Sequence, residues 1–547
     1  MILDNANVLT MDAALPHSKT LAIAGGKILG GVDSREDAIA SHAHERVDLK
    51  GKTVVPGFVE SHCHFRMWAL AQHRLQLHDV DSFDGLLERA RTFTKTSEQP
   101  TEELPGAVAT SVRSRETDGW LLGAGWSDEL LHGVPDAATK LDDAIEGRLV
   151  ALESRDSHSL WTTPRTLEHL SLKLKDLEIP GGIVERDGSG AFTGILREES
   201  AWLVRRQLPD DDLDMKVLAT AMRAAARRGV TSLHDMDGAA ALRTWRRIED
   251  ERGLALRVWV HLLAADLEHI VALGLGAGWG SERLAIGGLK LFADGTLGSG
   301  TALLHEPELP RSGEQPREGV TIVDGDELRR LARRAGAAGL PLLVHAIGDR
   351  AVTDVVDALE ATQEHWNHLP MRPRIEHAQL VRLEDLERIA RLGIGLAVQP
   401  SMLVADRDLA DAHWGDRTDR AFAFRSMIDA GCGLLLSSDA PIEDLHPLAA
   451  LHAATARDGG AHGLGPARGA WHPEQAIDAE TALLAATAWP ADATGVAHRL
   501  GRLVPLRDAD LVVLSDDPLT TPIAEIEVVA TMVGGRWTHG ADNLGLR

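Results

Sequence analysis

Two histidines that are separated by one residue, His62 and His64, are the first residues of this chain whose types and spacing suggest chemistry. They end a run that starts at Val54 with apolar and β-branched residues, and such a run predicts a buried strand. Because alternate side chains of a strand leave the same face, both imidazoles can share one metal ion. The pair alone is weak evidence, since 25 histidines among 547 residues give about one such pair by chance.

A second pair with the same spacing, His42 and His44, shows that the surrounding sequence decides whether such a pair indicates a metal site. It lies in the polar run 41–50, and no apolar segment leads into it. This setting predicts a solvated surface. The metal hypothesis for His62 and His64 therefore depends on further ligands later in the chain.

The composition is that of a globular protein with more than one domain. Hydrophobic residues make up 44% and charged residues 25% of a chain that is longer than one ordinary domain. The net charge of −25 argues against nucleic acid and anionic membranes as partners. We expect a small-molecule substrate. The oligomeric state stays open, with a homodimer as one option.

The expected location is the cytoplasm. The first residues, 1–5, lack the basic start and apolar core of a signal peptide. No uninterrupted apolar run approaches the ~20 residues that a membrane span needs. The two cysteines, Cys63 and Cys432, exclude a disulfide framework.

The two ends of the chain have matching patterns of short strands and turns. Residues 1–53 and 500–547 are each too short to bury a sheet alone, so we expect them to pair into one small β-sandwich. Residues 54–499 then form the main domain. Residues 66–215 within this domain show no regular alternation of strand and helix segments, which predicts a long insertion after the first strand.

From about residue 215 onward, apolar strand-like runs alternate with helical segments. Strands without polar alternation are typical of a parallel sheet that is buried on both faces. Eight such units predict an α/β fold with a TIM-type (β/α)8 barrel. The predicted strands are 54–64, 229–234, 256–261, 286–292, 340–345, 374–377, 395–399 and 434–439.

The ends of these strands carry residues that bind metals. In a barrel, the C-terminal strand ends converge on one mouth, where active sites of this fold lie. A single histidine at a strand end is more often structural, but several potential ligands at one level indicate a metal site. These residues are His62 and His64 on strand 1, Lys290 on strand 4, His345 on strand 5, His377 on strand 6 and Asp439 on strand 8.

Four motifs resemble the amidohydrolase superfamily. They are 56–64, 290–298, 345–349 and 437–441, and the last three are similar to its YtcJ-like branch, which includes N-substituted formamide deformylases. The resemblance covers essentially the whole chain. Glu60 departs from the pattern, since the family usually has aspartate there, but this position is not itself a ligand.

The resemblance implies a role for each of the six residues. His62 and His64 would bind the more buried metal, and His345 and His377 the second. Asp439 would touch the first metal and take the proton of the attacking water. Lys290 would be carboxylated and bridge two zinc ions, with a single metal as the alternative.

General chemistry is consistent with these implied roles. A protonated lysine would repel a nearby divalent ion, so Lys290 must be neutral, displaced or converted to a carbamate. Metal lowers the pKa of bound water to about 7 and polarises a carbonyl. The chain has no tyrosine to stabilise an oxyanion. Imidazole and carboxylate ligands suit zinc, with iron or manganese as alternatives.

Four further residues are candidates for substrate binding, each with an ordinary structural alternative. His158 lies in the insertion, where a surface loop is the alternative. Asp294 follows strand 4 and could instead cap a turn. Gln399 ends strand 7, and Trp126 belongs to the insertion, where core packing is the alternative.

The predicted activity is hydrolysis of an amide-type C–N bond, in an N-formyl or N-acyl amine. A deaminase is the nearest alternative, but deaminases that resemble this pattern place a glutamate soon after the strand 5 histidine, and residues 346–349 contain none. Hydrolysis of a carbamate or ester stays open because the same site can attack those centres. A non-enzymatic regulatory protein on this scaffold would be expected to lack a ligand, and none is missing.

Overall fold

The computed structural model describes residues 1–29, 45–71, 74–78, 80–96, 119–131, 134, 136–145, 147–208, 215–310 and 316–546. The pair His42 and His44 lies outside the described residues, so its surface position stays a prediction. The chain divides into two compact units. The barrel unit comprises Met1–Phe65, Thr220–Ala293 and Val323–Arg547, and the insertion unit comprises Arg66–Ala219 and Asp294–Ile322.

An eight-stranded parallel sheet forms the centre of the barrel unit, with its strands in sequence order. Most of its residues are buried, as expected for a sheet covered on both faces. The predicted α/β class with a TIM-type barrel is confirmed. The strands are β1 Phe58–Cys63, β2 Val230–Asp235, β3 Arg257–Leu263, β4 Leu284–Phe292, β5 Leu342–Ala346, β6 Arg374–His377, β7 Gly395–Val398 and β8 Gly433–Leu436.

The first predicted strand, 54–64, is two strands that serve two sheets. Thr53–Pro56 belongs to a terminal sheet, and β1 begins after Gly57. A Cβ at Gly57 would lie 2.1 Å from Thr231 Oγ1, so only glycine allows this crossing. The last predicted strand was also too long, because β8 ends at Leu436 and Asp439 lies in the following loop.

The segment after β8 connects back to the end of β1. Asp439 N donates to His62 O at 2.9 Å, and His64 N donates to Ala440 O at 2.8 Å. These two backbone bonds hold the eighth and first strand ends together at the C-terminal side of the barrel. They place Asp439 beside both histidines.

Helices alternate with the barrel strands, and their buried faces are apolar. In Gly325–Ala337 and Leu383–Leu392, leucines and isoleucines are buried at helical spacing. The other helices of this unit are Gly238–Arg252, Leu267–Ala272, Asp349–Glu360, Gln363–Trp366, Pro400–Trp414, Phe424–Asp429, Pro447–Ala456, Ala479–Ala486 and Ala488–Ala493, with 3-10 turns at Ala264–Asp266, Gly415–Arg420, Pro473–Gln475, Ile523–Glu525 and Asp542–Leu544.

Two sheets from the chain termini complete the barrel unit, and strands from both ends share one of them. In that sheet, Thr53–Pro56 pairs with Asn7–Leu9 on one side and Leu511–Leu514 on the other. Its spatial order is Arg536–His539, Val528–Val533, Leu511–Leu514, Thr53–Pro56, Asn7–Leu9 and His17–Ser18, and the four-stranded sheet has the order Lys27–Ile28, Leu21–Ala24, Ile2–Asp4 and Arg46–Asp48. The exact domain boundaries stay predictions.

The insertion unit has a six-stranded mixed sheet of its own, in the order Gly182–Arg186, Phe192–Glu198, Ser159–Thr162, Leu149–Ser154, Trp120–Trp126 and Leu75–Gln76. The insertion unit is larger than the predicted insertion 66–215, because residues 294–322 also belong to the unit. Helices that lie in or enter this unit are Phe65–Ala71, Phe83–Thr96, Asp128–Leu131, Ala137–Ala144, Pro164–His169, Leu174–Leu177, Glu199–Arg205 and Met215–Arg227. Among the described residues, no helix is both long enough and apolar enough to span a membrane.

Candidate metal centre

Four histidines from three barrel strands meet at the C-terminal strand ends. The ring centroids of His64 and His62 lie 5.8 Å apart, those of His62 and His377 5.0 Å, and those of His377 and His345 4.5 Å. His62, His345 and His377 are each at most 4% exposed. The predicted convergence of these four side chains therefore matches the geometry.

His62 and His64 each have one ring nitrogen bonded to a carboxylate and the other facing Asp439. The Nδ1 atoms donate to Glu376 Oε2 at 2.5 Å and to Asp237 Oδ1 at 2.7 Å. The Nε2 atoms lie 3.3 Å and 3.6 Å from the same oxygen, Asp439 Oδ1. A hydrogen on Nδ1 leaves a lone pair on Nε2 in the neutral ring. Two lone pairs therefore point at one carboxylate oxygen.

This arrangement fits a divalent cation. Lone pairs that face a carboxylate oxygen repel it unless a cation or a proton lies between them. Nitrogen and oxygen donors of this kind are those that zinc prefers, and a histidine that ligates metal typically donates its other N–H to a carboxylate. Ligand atoms of His62, His377 and Asp439 all lie within 4.8 Å of one another.

Asp439 has an unusual backbone conformation. Its φ is +57°, and the φ values of His377 and Ala378 at the end of β6 are +76° and +45°. Non-glycine residues in this region cost roughly 1–3 kcal/mol each and cluster at functional sites. Here the turns direct the Asp439 and His377 side chains toward the same point.

His377 is held by Gln399, and this changes the role predicted for Gln399. The Gln399 amide nitrogen donates to Ala397 O and Ser437 Oγ, so its oxygen, 2.9 Å from His377 Nδ1, accepts the ring hydrogen. With both ends of its amide bonded to protein and 1% exposure, Gln399 orients the His377 ring. Its substrate role stays a prediction.

Lys290 lies on β4, buried and facing inward, as the strand period predicted. Its Nζ lies 4.6 Å from the centroid of the Phe292 ring and has no hydrogen-bond partner among the described residues. Burial lowers the pKa of Lys290 to about 8, against the opposing charges of Glu376 and Asp439. A buried amine without a hydrogen bond is costly.

Glu60 joins the first and last barrel strands. Its carboxylate accepts from the backbone N–H groups of His62 and Ser438 and from the Ser438 hydroxyl at 2.8–3.1 Å. Burial raises the pKa of Glu60 to about 8, although these hydrogen bonds oppose the shift. The longer glutamate thus fits at a position where the resemblance leads one to expect aspartate.

Sequence reasoning missed two carboxylates that orient ligands, Glu376 and Asp237. Glu376 immediately precedes His377, and Asp237 follows β2 by two residues. Burial lowers the pKa of His62. Burial also acts to lower the pKa of His64, but the bond to Asp237 and the charges of Asp237 and Asp439 together outweigh it and raise that pKa. The one signal for Glu376 was its spacing from Arg374, which places both on the inner face of β6.

His234 on β2 and His261 on β3 are two further buried histidines, and they hydrogen-bond to each other. His234 Nδ1 and His261 Nε2 lie 2.9 Å apart, and His261 Nδ1 accepts from Gly288 N at 2.8 Å. Arg374 Nη1 lies 3.4 Å from His234 Nδ1. Their connection to His62 therefore runs through Arg374 and Glu376.

Three of the four predicted substrate residues belong to the insertion unit. Trp126 is fully buried in the core of that unit, and its indole N–H donates to Leu152 O at 2.7 Å, so it packs the core. Asp294 is fully buried and accepts from Leu303 N at 2.9 Å, which is the loop-capping alternative. His158 Nδ1 bonds Glu198 Oε2 at 2.7 Å. Its substrate role stays a prediction.

Comparison with known proteins identifies the family. Residues 45–539 match the amidohydrolase family. The chain belongs to this family. It is 28% identical to the Protein LONG AFTER FAR-RED 3 of Arabidopsis thaliana, over 98% of this chain and 91% of that protein. The putative amidohydrolase YtcJ of Bacillus subtilis (strain 168) is 27% identical over 93% of each chain.

Two further relatives support a hydrolase. The N-substituted formamide deformylase of Arthrobacter pascens is 26% identical over 98% of this chain and 97% of that enzyme. The crystal structure of an uncharacterized metal-dependent hydrolase from Pyrococcus horikoshii OT3 has a TM-score of 0.74 and 28% identity, and covers 96% of this chain and 99% of that one. The predicted YtcJ-like amidohydrolase branch and a hydrolytic enzyme are confirmed, and the family implies a divalent metal.

Proposed function

We propose that this amidohydrolase hydrolyses the C–N bond of an N-formyl or N-acyl amine in the cytoplasm. The observation that carries the proposal is the pair of Nε2 atoms, on His62 and His64, that face Asp439 Oδ1 at 3.3 and 3.6 Å. The similarity to an N-substituted formamide deformylase over nearly the full length of both chains supports the N-formyl substrate class.

We assign the metal ligands to the six residues at the barrel mouth. His62, His64 and Asp439 would hold one zinc ion, and His345 and His377 would hold a second. A divalent ion bound there would lower the pKa of water to about 7 and polarise the scissile carbonyl. Binding of the carbonyl then needs no phenol, in keeping with a chain that has no tyrosine.

Lys290 completes the centre as a carbamate. Its neutral Nζ attacks carbon dioxide, an N–C bond forms, and one proton leaves. The amine thereby becomes an anion with two oxygens. This accounts for a buried lysine whose Nζ has no hydrogen-bond partner among the described residues while it faces several metal ligands. Its pKa, lowered to about 8, supplies more neutral amine near neutral pH than an exposed lysine would.

Asp439 is the general base. Its carboxylate accepts the proton of the attacking water and passes it to the nitrogen of the departing amine. A base positioned in this way contributes about 10²–10⁴-fold in rate. Asp439 is only 7% exposed, which limits competition from bulk water for that proton.

A deaminase is the less favoured reading of the same site. The four residues after His345 are Ala346, Ile347, Gly348 and Asp349, and Gly348 is the N-cap residue of the helix Asp349–Glu360. No glutamate is available there as the second acid–base group, and Lys290 on β4 also argues against that chemistry.

The test is a hydrolysis screen of zinc-loaded protein, prepared with bicarbonate, against N-formyl amines, N-acyl amines, carbamates and amidines. We expect amine release from a formamide or amide, and about 10²–10⁴-fold slower release by the Asp439→Asn variant at equal zinc content. Ammonia release from an amidine alone would favour the deaminase. A zinc-loaded protein that releases amine from no formamide or amide contradicts the proposal.

A further inference from the structure

A buried ion pair lies directly behind His62. Arg374 and Glu376 are 2% and 0% exposed, and they project from the same face of β6 because they are two residues apart. Arg374 Nε donates to Glu376 Oε1, and Nη2 donates to Oε2, both at 2.9 Å. This two-pronged geometry fixes the plane of the carboxylate.

The remaining contacts of Arg374 fix the guanidinium in turn. Its Nη2 also donates to Ser61 O at 2.6 Å, on the strand that carries His62, and Nη1 lies 3.4 Å from His234 Nδ1. The pair therefore links β6 to β1 and β2 across the barrel interior. Replacement of either partner would leave the other buried and charged without its counter-ion.

Glu376, fixed by Arg374, in turn orients the His62 ring. One of its oxygens, Oε2, accepts from His62 Nδ1 at 2.5 Å, which keeps the ring hydrogen on Nδ1 and turns Nε2 toward Asp439. His64 has an equivalent acceptor in Asp237, but the Asp237 side chain is 12% exposed, and no arginine donates to it among the described residues. The carboxylate that orients His62 is therefore fixed by an arginine, whereas the carboxylate that orients His64 is not.

We propose that Arg374 and Glu376 are a positioning pair for His62, which presents its Nε2 to the metal before the metal arrives. The inference rests on the proposed metal-dependent function and extends it to two residues that touch neither metal nor substrate. A preset ring removes the need to rotate or change tautomer when metal binds. Loss of such a partner typically lowers metal affinity 10–100-fold.

The test compares the zinc affinity of metal-free wild type, Glu376→Gln and Asp385→Asn in chelator-buffered zinc. Asp385 is a matched control, because it is a buried carboxylate that accepts from Thr353 Oγ1 and Arg388 Nη1, on a helix away from the ligands. We expect Glu376→Gln to bind zinc about 10–100-fold more weakly and the control to bind as wild type does. The absorption bands of bound cobalt should also change in Glu376→Gln alone, since a purely structural loss would not alter the ligand field of sites that are filled.

Equal zinc affinity and equal cobalt spectra in Glu376→Gln and wild type would overturn the inference while leaving the proposed function intact. A wild-type protein that binds no zinc would instead defeat the proposed function. If Glu376→Gln does not fold, the crystal structure of the zinc-loaded wild type tests the inference instead. Coordination through His62 Nε2 with the Glu376 bond retained supports the inference, and coordination through Nδ1 overturns it.

Discussion

Substitution of Asp439 by asparagine should strongly reduce turnover while it preserves the fold. Asparagine has the same shape and tolerates the left-handed backbone that Asp439 adopts, at φ +57°, better than most residues do. The backbone bond from Asp439 N to His62 O is unaffected by the change. The variant therefore differs from wild type mainly in its inability to accept a proton.

The expected loss follows from that single change. A missing general base costs about 10²–10⁴-fold in rate, which corresponds to about 2.7–5.4 kcal/mol of activation free energy. The assay is amine release under saturating substrate, with bound zinc measured on the same samples. Because asparagine keeps one oxygen that can bind metal, and the histidines are unchanged, zinc content should stay close to that of wild type.

Asp385→Asn provides the matched control for this assay. Asp385 is 1% exposed and bonded to Thr353 and Arg388, so the same chemical change is made in an equally buried carboxylate. We expect wild-type turnover, with about 1–3 kcal/mol lost from the free energy of unfolding. Wild-type turnover in Asp439→Asn at equal zinc content would refute the assignment of the base.

Two further predictions concern the terminal sheet and Lys290. A chain that ends after Leu500 loses the strand Leu511–Leu514, whose four side chains are each 0% exposed. Their burial contributes roughly 6–12 kcal/mol, comparable with the whole stability of a typical domain, so we expect insoluble protein, and a soluble active truncation would contradict this. Because burial lowers the pKa of Lys290 to about 8, its protonated form is lost as pH rises through that value. At fixed dissolved carbon dioxide, zinc-dependent activation of metal-free protein should be about 25-fold faster at about pH 8.5 than at about pH 6.5, and a pH-independent rate would argue against carboxylation.

The sequence predicted the barrel and the convergence of the ligands because both follow from local patterns. Strand period and strand ends place His62, Lys290, His345 and His377 at one level without knowledge of tertiary contacts. The sequence could not reveal that 54–64 serves two sheets. That division depends on the approach of Thr231 to Gly57, which is a contact between segments far apart in the chain.

The orienting residues were harder to predict for the same reason. Glu376 and Asp237 act on histidines that are 314 and 173 residues away in sequence, and their carboxylates look like ordinary charges in a linear chain. Gln399 and Trp126 were given substrate roles from position alone, whereas their actual partners use up their polar atoms. Residue type indicated chemistry here, and only the folded contacts showed which partners each group has.

The most direct test of the central claim is a zinc titration of metal-free wild-type protein in bicarbonate, with amine release and bound zinc measured together. The account predicts no amine release without metal, followed by a rise to a plateau as zinc fills the site. His62→Asn should bind less zinc and remain inactive across the titration. Full amine release by the metal-free protein, or zinc binding and activity unchanged in His62→Asn, would contradict the account.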